Sequence, residues 1–342
     1  MFVKVALVCI LAACPFVCEG ARYGCYANPT SAIPGCSCTS QWVATDYVYK
    51  TVVTCQGTVG AASDFKDNLR KLDGYKVDDF IITAYPNTRL PEEPFTDKTE
   101  IKRIIIQNSP KLEGFGPKGG KGFFANLGKS LKSLVVANNP AIRDDEWATI
   151  ATSLANGGTA DDEGGTGKAA GDVVLNNLVI QKQTLFDDLD AFTALTTLEI
   201  LVLRGNGFTS FKYDLSAFTN LQVLDLSETP ALKKFELSAA LPANLKTIFL
   251  SGGSIETITT ASWTFLVVAD FIDLSKNANL DCNCDNLPTG FVSEENEKKF
   301  LGATCGKPDA AKAKAFGSFC VQTDYFMSMA ADGKPQMSRL YS

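Results

Sequence analysis

The feature that most constrains this chain is a motif that returns every 23 or 24 residues through its second half. The segment LEILVLRGNGF, residues 198–208, has apolar residues at its first, fourth and sixth positions and asparagine at its ninth. The other copies begin at Leu221, Leu245, Ala269 and, towards the N terminus, at Leu175, Leu131, Ile101 and Val77. A fixed period of roughly 20–29 residues predicts stacked units that share one continuous core, here about eight of them.

Side-chain alternation predicts which residues of each repeat face outward. In the fifth repeat Leu201 and Leu203 point into the core, so Val202 between them points to the other face of a short strand. Stacked strands pair in parallel, which predicts a parallel sheet with an outward, concave face. We expect the binding surface to lie on that face, at Ile81, Ile105, Val135, Val179, Val202, Arg204, Asp225, Phe249 and Asp273. The first five positions are apolar, although isoleucine and valine favour strands whether or not they bind a partner.

The ninth position marks the sharp turn that follows each strand. Asparagine occupies it at Asn139, Asn206 and Asn277, where its amide can bond to backbone groups of the turn. Other residues replace it at Ser109, Gln183, Thr229 and Gly253, without a change in register.

Two intervals break the period. The distance is 30 residues from Ile101 to Leu131 and 44 residues from Leu131 to Leu175. Glycine-rich runs at about 114–122 and 156–172 account for the extra length, and we interpret them as flexible excursions of the return leg. They do not divide the solenoid into domains.

The first twenty residues have the pattern of a secretory signal. Lys4 precedes the apolar run VALVCILAA, and Cys18 and Gly20 are small residues before a predicted cut after Gly20. The run is too short to span a membrane, so we expect a secreted chain without a membrane span.

Cysteine distribution agrees with secretion. Three of the eleven cysteines fall within the signal segment, and the other eight form two groups: Cys25, Cys36, Cys38 and Cys55, then Cys282, Cys284, Cys305 and Cys320. Disulfides persist in oxidising compartments, which favours two disulfide-bonded caps, at 21–76 and 281–342, around repeats at 77–280. The strand-like run YVYKTVVTC in the first cap is suited to cover the first repeat. Four cysteines allow three pairings, and two all-cysteine metal sites are the less favoured alternative.

The repeats, together with C-x-C after the last one and two further cysteines, resemble the extracellular leucine-rich-repeat family. The resemblance implies an α/β leucine-rich-repeat solenoid with a concave parallel β-sheet, a mostly irregular convex side and disulfide caps at both ends. It also implies the pairings Cys25–Cys38, Cys36–Cys55, Cys282–Cys305 and Cys284–Cys320. The run SFKYDLSAFTNLQVLDLSETPALKKF is similar to secreted arthropod proteins typified by the non-catalytic subunit of shrimp luciferin 2-monooxygenase.

Composition argues against catalysis. The chain has no histidine, which excludes Ser-His-Asp and Cys-His nucleophilic schemes and histidine metal sites. Its net charge of −6 disfavours nucleic acid as a partner. We therefore expect a non-enzymatic binding protein with no cofactor, no metal and an extracellular protein as its partner. A structural extracellular-matrix component and a non-catalytic subunit of a secreted complex remain as alternatives, and the oligomeric state stays open.

Overall fold

A computed structural model describes residues 22–23, 33–43, 48–57, 60–118, 121–155, 173–184, 186, 189–282 and 298–307. The expected signal segment and the second glycine-rich insert lie outside these residues. So do Cys25, Cys284 and Cys320, together with the pairings that involve them.

Each of the eight repeats contributes one strand to a single parallel sheet. The strands are β4 (Tyr75–Thr83), β5 (Glu100–Gln107), β6 (Ser133–Ala137), β7 (Asn177–Gln181), β8 (Ile200–Val202), β10 (Val223–Asp225), β12 (Thr247–Phe249) and β14 (Phe271–Asp273). They pair in the order of the chain, as successive turns of a solenoid require. The predicted concave parallel sheet is therefore confirmed.

The N-terminal cap extends this sheet by a hairpin. Strand β3 (Val48–Gln56), which contains the predicted covering strand, pairs in parallel with β4. Strand β2 (Cys36–Val43) pairs antiparallel with β3, an arrangement that the sequence did not predict. The short strand β1 (Arg22–Tyr23) pairs with the start of β4, and helix α1 (Ala62–Leu69) leads into the first repeat.

Disulfides hold both ends of the solenoid. Cys36 is bonded to Cys55 across the hairpin, and Cys282 is bonded to Cys305 beyond the last repeat. Both are pairings that the family resemblance implies. Cys38 is also disulfide-bonded. At the C-terminal end, strand β15 (Phe300–Leu301) pairs in parallel with β14 and covers its edge.

The core is a column of aliphatic residues from the strands and aromatic residues from the return legs. Leu201, Leu224 and Ile248 are fully buried at equivalent positions of adjacent strands. Behind them the rings meet in a continuous series, from Trp147 to Phe186 at 5.0 Å between centroids and from Phe186 to Phe208 at 5.4 Å. Each repeat therefore buries its apolar face against the next one, and none is stable alone.

Among the described residues, the return legs on the convex side are mostly irregular, with short helices and one small sheet. Helix α2 (Trp147–Ala155) and helix α3 (Thr260–Leu266) lie on return legs. Strands β9 (Ser210–Tyr213), β11 (Lys234–Leu237) and β13 (Thr257–Ile258) form a second parallel sheet of three strands. Phe211 and Phe235 are buried at paired positions of this sheet.

The ninth-position residues form a buried polar column between repeats. Asn206 accepts a hydrogen bond from the backbone N–H of Gln183, and it donates to the carbonyl oxygens of Ile180 and Leu203, each at 2.8 Å. Asn139 makes equivalent bonds to the preceding repeat, accepting the N–H of Ser109 and donating to the Ile106 carbonyl oxygen. Asn277 also bonds to the preceding repeat, but it accepts the N–H of Ile255, two residues beyond the ninth position. Asparagine therefore joins neighbouring turns as well as closing its own.

A left-handed residue follows every repeat strand at the same position. The positive φ values fall at Ala84, Asn108, Asn138, Lys182, Gly205, Glu228, Gly252 and Lys276, each three residues after the outward-facing residue of its strand. Only two of the eight are glycine, although the left-handed region favours glycine. The residue types at this position are so mixed that no sequence pattern predicts the left-handed conformation there.

The described part of the first glycine-rich insert is packed against the solenoid. Phe115 and Phe123, at its two ends, are fully buried, and the Phe123 N–H donates to the Phe115 carbonyl oxygen at 2.6 Å. Arg89 donates to the carbonyl oxygen of Gly116 and, at 2.5 Å, to the buried carboxylate of Glu146. Residues 114–116 and 122 of this insert are therefore buried, whereas 117, 118 and 121 are exposed. That the insert is a flexible excursion stays a prediction.

Candidate binding surface on the concave sheet

Eight of the nine predicted binding residues lie side by side across the sheet. Strand register places them directly opposite one another, in the order Ile81, Ile105, Val135, Val179, Val202, Asp225, Phe249 and Asp273. Every one of them is partly exposed, whereas the residues immediately before and after each are buried. We call these eight residues the concave row.

The first five members of the concave row form an apolar stripe. Polar groups lie beside it: the guanidinium of Arg103 donates to both carboxylate oxygens of Asp79, at 2.8 and 3.0 Å. The two residues lie on the adjacent strands β5 and β4 and are bound to each other. The stripe therefore offers apolar contact with a polar border, a composition found at protein interfaces.

The character of the row changes between repeats five and six. From the fifth repeat to the eighth, the sheet carries an open depression of about 280 Å³. It is lined by Arg204, Asp225, Glu228, Phe249, Ser251 and Lys276 among others. Three of the nine predicted residues therefore meet in one depression. We call it the polar depression.

Arg204, the ninth predicted residue, lies just after β8 and is paired. Its guanidinium donates to the carboxylate of Glu228 on the next repeat. This hydrogen bond, with the positive charges of Arg204 and Lys182, holds the pKa of Glu228 below its usual value. Both side chains are about half exposed, so the pair fixes their positions but contributes little to stability.

Asp225 and Asp273 have a local structural role that the sequence analysis did not predict. Each carboxylate accepts the backbone N–H of the serine two residues later, Ser227 at 2.8 Å and Ser275 at 2.9 Å. Burial opposes ionisation of Asp273, but the hydrogen bonds from Ser275 and Ser251 outweigh it, so the pKa of Asp273 is lowered. The shared sequence D-L-S in both repeats was the signal that could have revealed these turns.

Metal-binding clusters are absent from the part of the chain that the structure describes. No group of three or more cysteine, aspartate or glutamate residues there is arranged to hold a metal ion.

Within the described ranges, none of the helices is both long enough and apolar enough to cross a membrane.

Comparisons with known proteins show similarity in structure only. No protein-family model matches the chain, and no curated protein matches it by sequence. The structure of human 5T4 (trophoblast glycoprotein) is similar at a TM-score of 0.52 and 16% identity, over 82% of this chain and 96% of that one. A chain of the TLR13–ssRNA13 complex has a TM-score of 0.34 and 16% identity, over 67% of this chain and 39% of that one.

A chain from the octameric complex of Latrophilin 3, Unc5D and FLRT2 has a TM-score of 0.27 and 16% identity, over 70% of this chain and 88% of that one. The similarity to 5T4, together with the eight parallel repeat strands, shows that this chain has the leucine-rich-repeat fold. The narrower resemblance to arthropod proteins has no counterpart among these sequence comparisons.

Proposed function

We propose that this chain is a secreted, non-enzymatic protein that binds another extracellular protein on its concave sheet face. The observation that carries the proposal is the concave row, in which eight partly exposed side chains lie in register across eight strands. A continuous exposed stripe of isoleucine and valine, rimmed by polar groups, is typical of an interaction surface.

The polar depression supports the same assignment. Binding energy at protein interfaces concentrates in a few central residues that sit in pockets, and aromatic and arginine side chains are enriched among them. Phe249 and Arg204 are residues of these types, both line the depression, and Arg204 is held there by Glu228. In this assignment the apolar stripe contributes buried contact area to the interface, and the polar depression contributes specificity for the partner.

Secretion is supported by the disulfides and by the leader-like segment. The bonds Cys36–Cys55 and Cys282–Cys305 favour an oxidising compartment. If residues 1–20 are a signal, the mature chain begins at Ala21, and mass spectrometry of the secreted protein checks this directly.

A capture experiment with matched variants tests the binding face. The intact protein, immobilised, is exposed to secreted fluid, and captured proteins are quantified by mass spectrometry for wild type, Val179→Glu, Phe249→Asp and Thr264→Glu. Thr264 is exposed on helix α3 of the return leg and serves as the control. We expect at least a tenfold loss of the same captured protein in the two concave variants and none in the control.

Thermal melting of each variant accompanies the capture. Equal loss in all three variants, or none in the two concave ones, contradicts the proposal provided that the melting temperatures are unchanged.

The resemblance to arthropod proteins gives the proposal a more specific form, a non-catalytic subunit held in a permanent secreted complex. Permanent complexes bury larger and more apolar interfaces than transient ones. The five-residue apolar stripe favours this form over a structural matrix role. Co-elution of the captured protein at fixed stoichiometry supports it, and recovery of the chain as a free monomer or in insoluble matrix argues against it.

A further inference from the structure

The last three residues of the concave row place an aromatic ring between two carboxylates. Asp225 lies directly opposite Phe249, and Phe249 directly opposite Asp273, on three consecutive strands. Because neighbouring strands are about 4.8 Å apart, the two carboxylates flank the ring from opposite sides. This arrangement follows from the register and does not depend on a flexible loop.

The ring of Phe249 is supported and partly open. Phe271 contacts it at 5.7 Å between centroids with an interplanar angle of 60°, and both rings remain partly exposed. The depression that contains Phe249 measures about 280 Å³, at or below the lower end of the range for small-molecule pockets, roughly 300–1,000 Å³. Its size therefore suits one long side chain of a partner rather than a complete small ligand.

The two carboxylates are positioned before any ligand arrives. One oxygen of Asp225 and one of Asp273 accept the backbone N–H of the serine two residues later, at 2.8 and 2.9 Å. A carboxylate accepts up to about four hydrogen bonds, so Asp225, which lines the depression, can accept further ones there. Asp273 lies beside the ring on the next strand and also accepts hydrogen bonds from the side chains of Ser275 and Ser251. Among the described residues, no ion pair joins either carboxylate to a lysine or arginine.

Charge at the depression favours a cation over an anion. Arg204 is engaged by Glu228, so the other charged residues of the lining are Asp225 and Lys276. Asp273, directly opposite Phe249 on the next strand, adds a second carboxylate beside the ring. The charge of Lys276 acts on both Asp273 and Glu228 and so is shared between them. An anionic ligand would be attracted by Lys276 alone and repelled by both carboxylates, whereas a cationic ligand would be attracted by both.

We propose that the polar depression receives an arginine side chain of the partner protein, which stacks on the ring of Phe249 and donates to Asp225 in the depression and to Asp273 beside it. Arginine fits better than lysine because its guanidinium is planar, stacks on aromatic faces and carries donors on opposite edges. The inference rests on the proposed function, because it assumes that the concave face binds a protein.

The test uses a small probe in place of the unidentified partner. The intact protein, labelled with ¹³C at phenylalanine, is titrated by NMR with N-acetyl-argininamide, with N-acetyl-citrullinamide as its neutral isostere and with N-acetyl-glutamate amide as an anionic probe. We expect the Phe249 ring resonances to shift with the arginine probe and the citrulline probe to bind about tenfold more weakly. Phe249→Leu should abolish the ring stacking and weaken binding about fivefold.

Asparagine variants isolate charge from structure. Asp225→Asn and Asp273→Asn still present a side-chain oxygen to the serine N–H, so the turns remain while one charge is lost. Each should weaken the arginine probe at least fivefold. The matched control is Asp214→Asn, because Asp214 also accepts the N–H of a serine two residues later, at 2.8 Å, but lies just after β9 on the return leg.

The outcomes are separable from those of the capture experiment. Equal binding of the arginine and citrulline probes, unchanged affinity in both concave asparagine variants, or preferential binding of the glutamate probe overturns the inference. If Val179→Glu abolishes protein capture while the arginine probe does not bind, the proposed function stands and this inference fails. If the probe binds as predicted but concave variants capture normally, the cation site stands and the proposed function fails.

Discussion

The backbone N–H of Gln183 donates to Oδ1 of Asn206 at 2.9 Å, so a side chain of the fifth repeat completes the turn of the fourth. The same amide group donates to the carbonyl oxygens of Ile180 and Leu203. All these atoms are buried, so their hydrogen bonds cannot be replaced by water without a structural change. One asparagine therefore links the stability of two neighbouring repeats.

Asn206→Ala should lower the free energy of unfolding by about 3 kcal/mol, because it leaves several buried backbone groups without partners. Urea denaturation followed by circular dichroism measures this change. Asn220→Ala is the control, since Asn220 also donates to the preceding repeat, at the Thr196 carbonyl oxygen, but is exposed. The control substitution should lower the free energy of unfolding by less than about 0.5 kcal/mol. Equal losses in the two variants would show that the buried column has no special role.

Ala84→Gly should stabilise the protein, which is the opposite of its usual effect. Ala84 is exposed and has a φ of 52°, in the left-handed region where a Cβ atom is unfavourable. Glycine relieves that strain, but its greater backbone entropy in the unfolded state offsets part of the effect. The free energy of unfolding should therefore rise by roughly 0.5–1 kcal/mol.

The matched control for this change is Ala148→Gly in helix α2, where Ala148 is also exposed. Glycine within a helix should destabilise by about 1 kcal/mol. Differential scanning calorimetry of both variants shows whether each substitution raises or lowers the melting temperature. A lower melting temperature for Ala84→Gly would contradict the claim that the left-handed conformation of Ala84 is strained.

Gly114→Ala should destabilise the first insert. A Cβ atom at this position would lie 2.3 Å from a carboxylate oxygen of Glu146 and 2.8 Å from the Arg89 guanidinium. Overpacking against a buried ion pair should cost about 2 kcal/mol. Removing the carboxylate first, by Glu146→Ala, makes room, so the added cost of Gly114→Ala should then fall by about half or more. Additive losses in the double-mutant cycle would show that the two residues do not contact each other.

The carboxyl group of Asp273 should lose its proton at a lower pH than that of an unstructured aspartate. Its folded-state pKa is lower than the usual value, about 3.9 for an unfolded aspartate, since hydrogen bonds from Ser275 and Ser251 outweigh burial. The folded state therefore binds fewer protons than the unfolded state in this range, and stability is lost as the pH falls from about 4 through the folded pKa. Carboxyl ¹³C NMR should place the midpoint below that of an unstructured aspartate. A midpoint at or above the usual value would contradict the hydrogen bonding of this turn.

Periodicity predicted the fold because each repeat strand is defined by its own alternating residues. The inward leucines and the concave row follow from a two-residue alternation within a 23- or 24-residue period, and neither depends on distant parts of the chain. The structure places Val202 opposite Asp225 as that alternation requires. Fold and register were therefore predictable from local sequence.

Features that depend on contacts between repeats were not predictable in the same way. The partly buried pair of Arg89 and Glu146 joins residues 57 positions apart, and both are ordinary charged residues in the sequence. The three-stranded convex sheet forms because strands of successive return legs, about 24 residues apart, pair with one another. Strand β2 pairs with its neighbour β3 in a hairpin that lies outside the repeats, so the repeat pattern does not predict it.

The central claim is that the concave row is the binding surface, and site-specific photo-crosslinking tests it most directly. Benzoylphenylalanine is placed singly at Val135, Val179 and Phe249, and at Ala148 and Thr264 on the return legs. Each intact protein is then irradiated in secreted fluid, and its adducts are identified by mass spectrometry. The account predicts one common protein adduct at the three concave positions and none at the two return-leg positions. An adduct at Ala148 or Thr264, with none in the concave row, would contradict it.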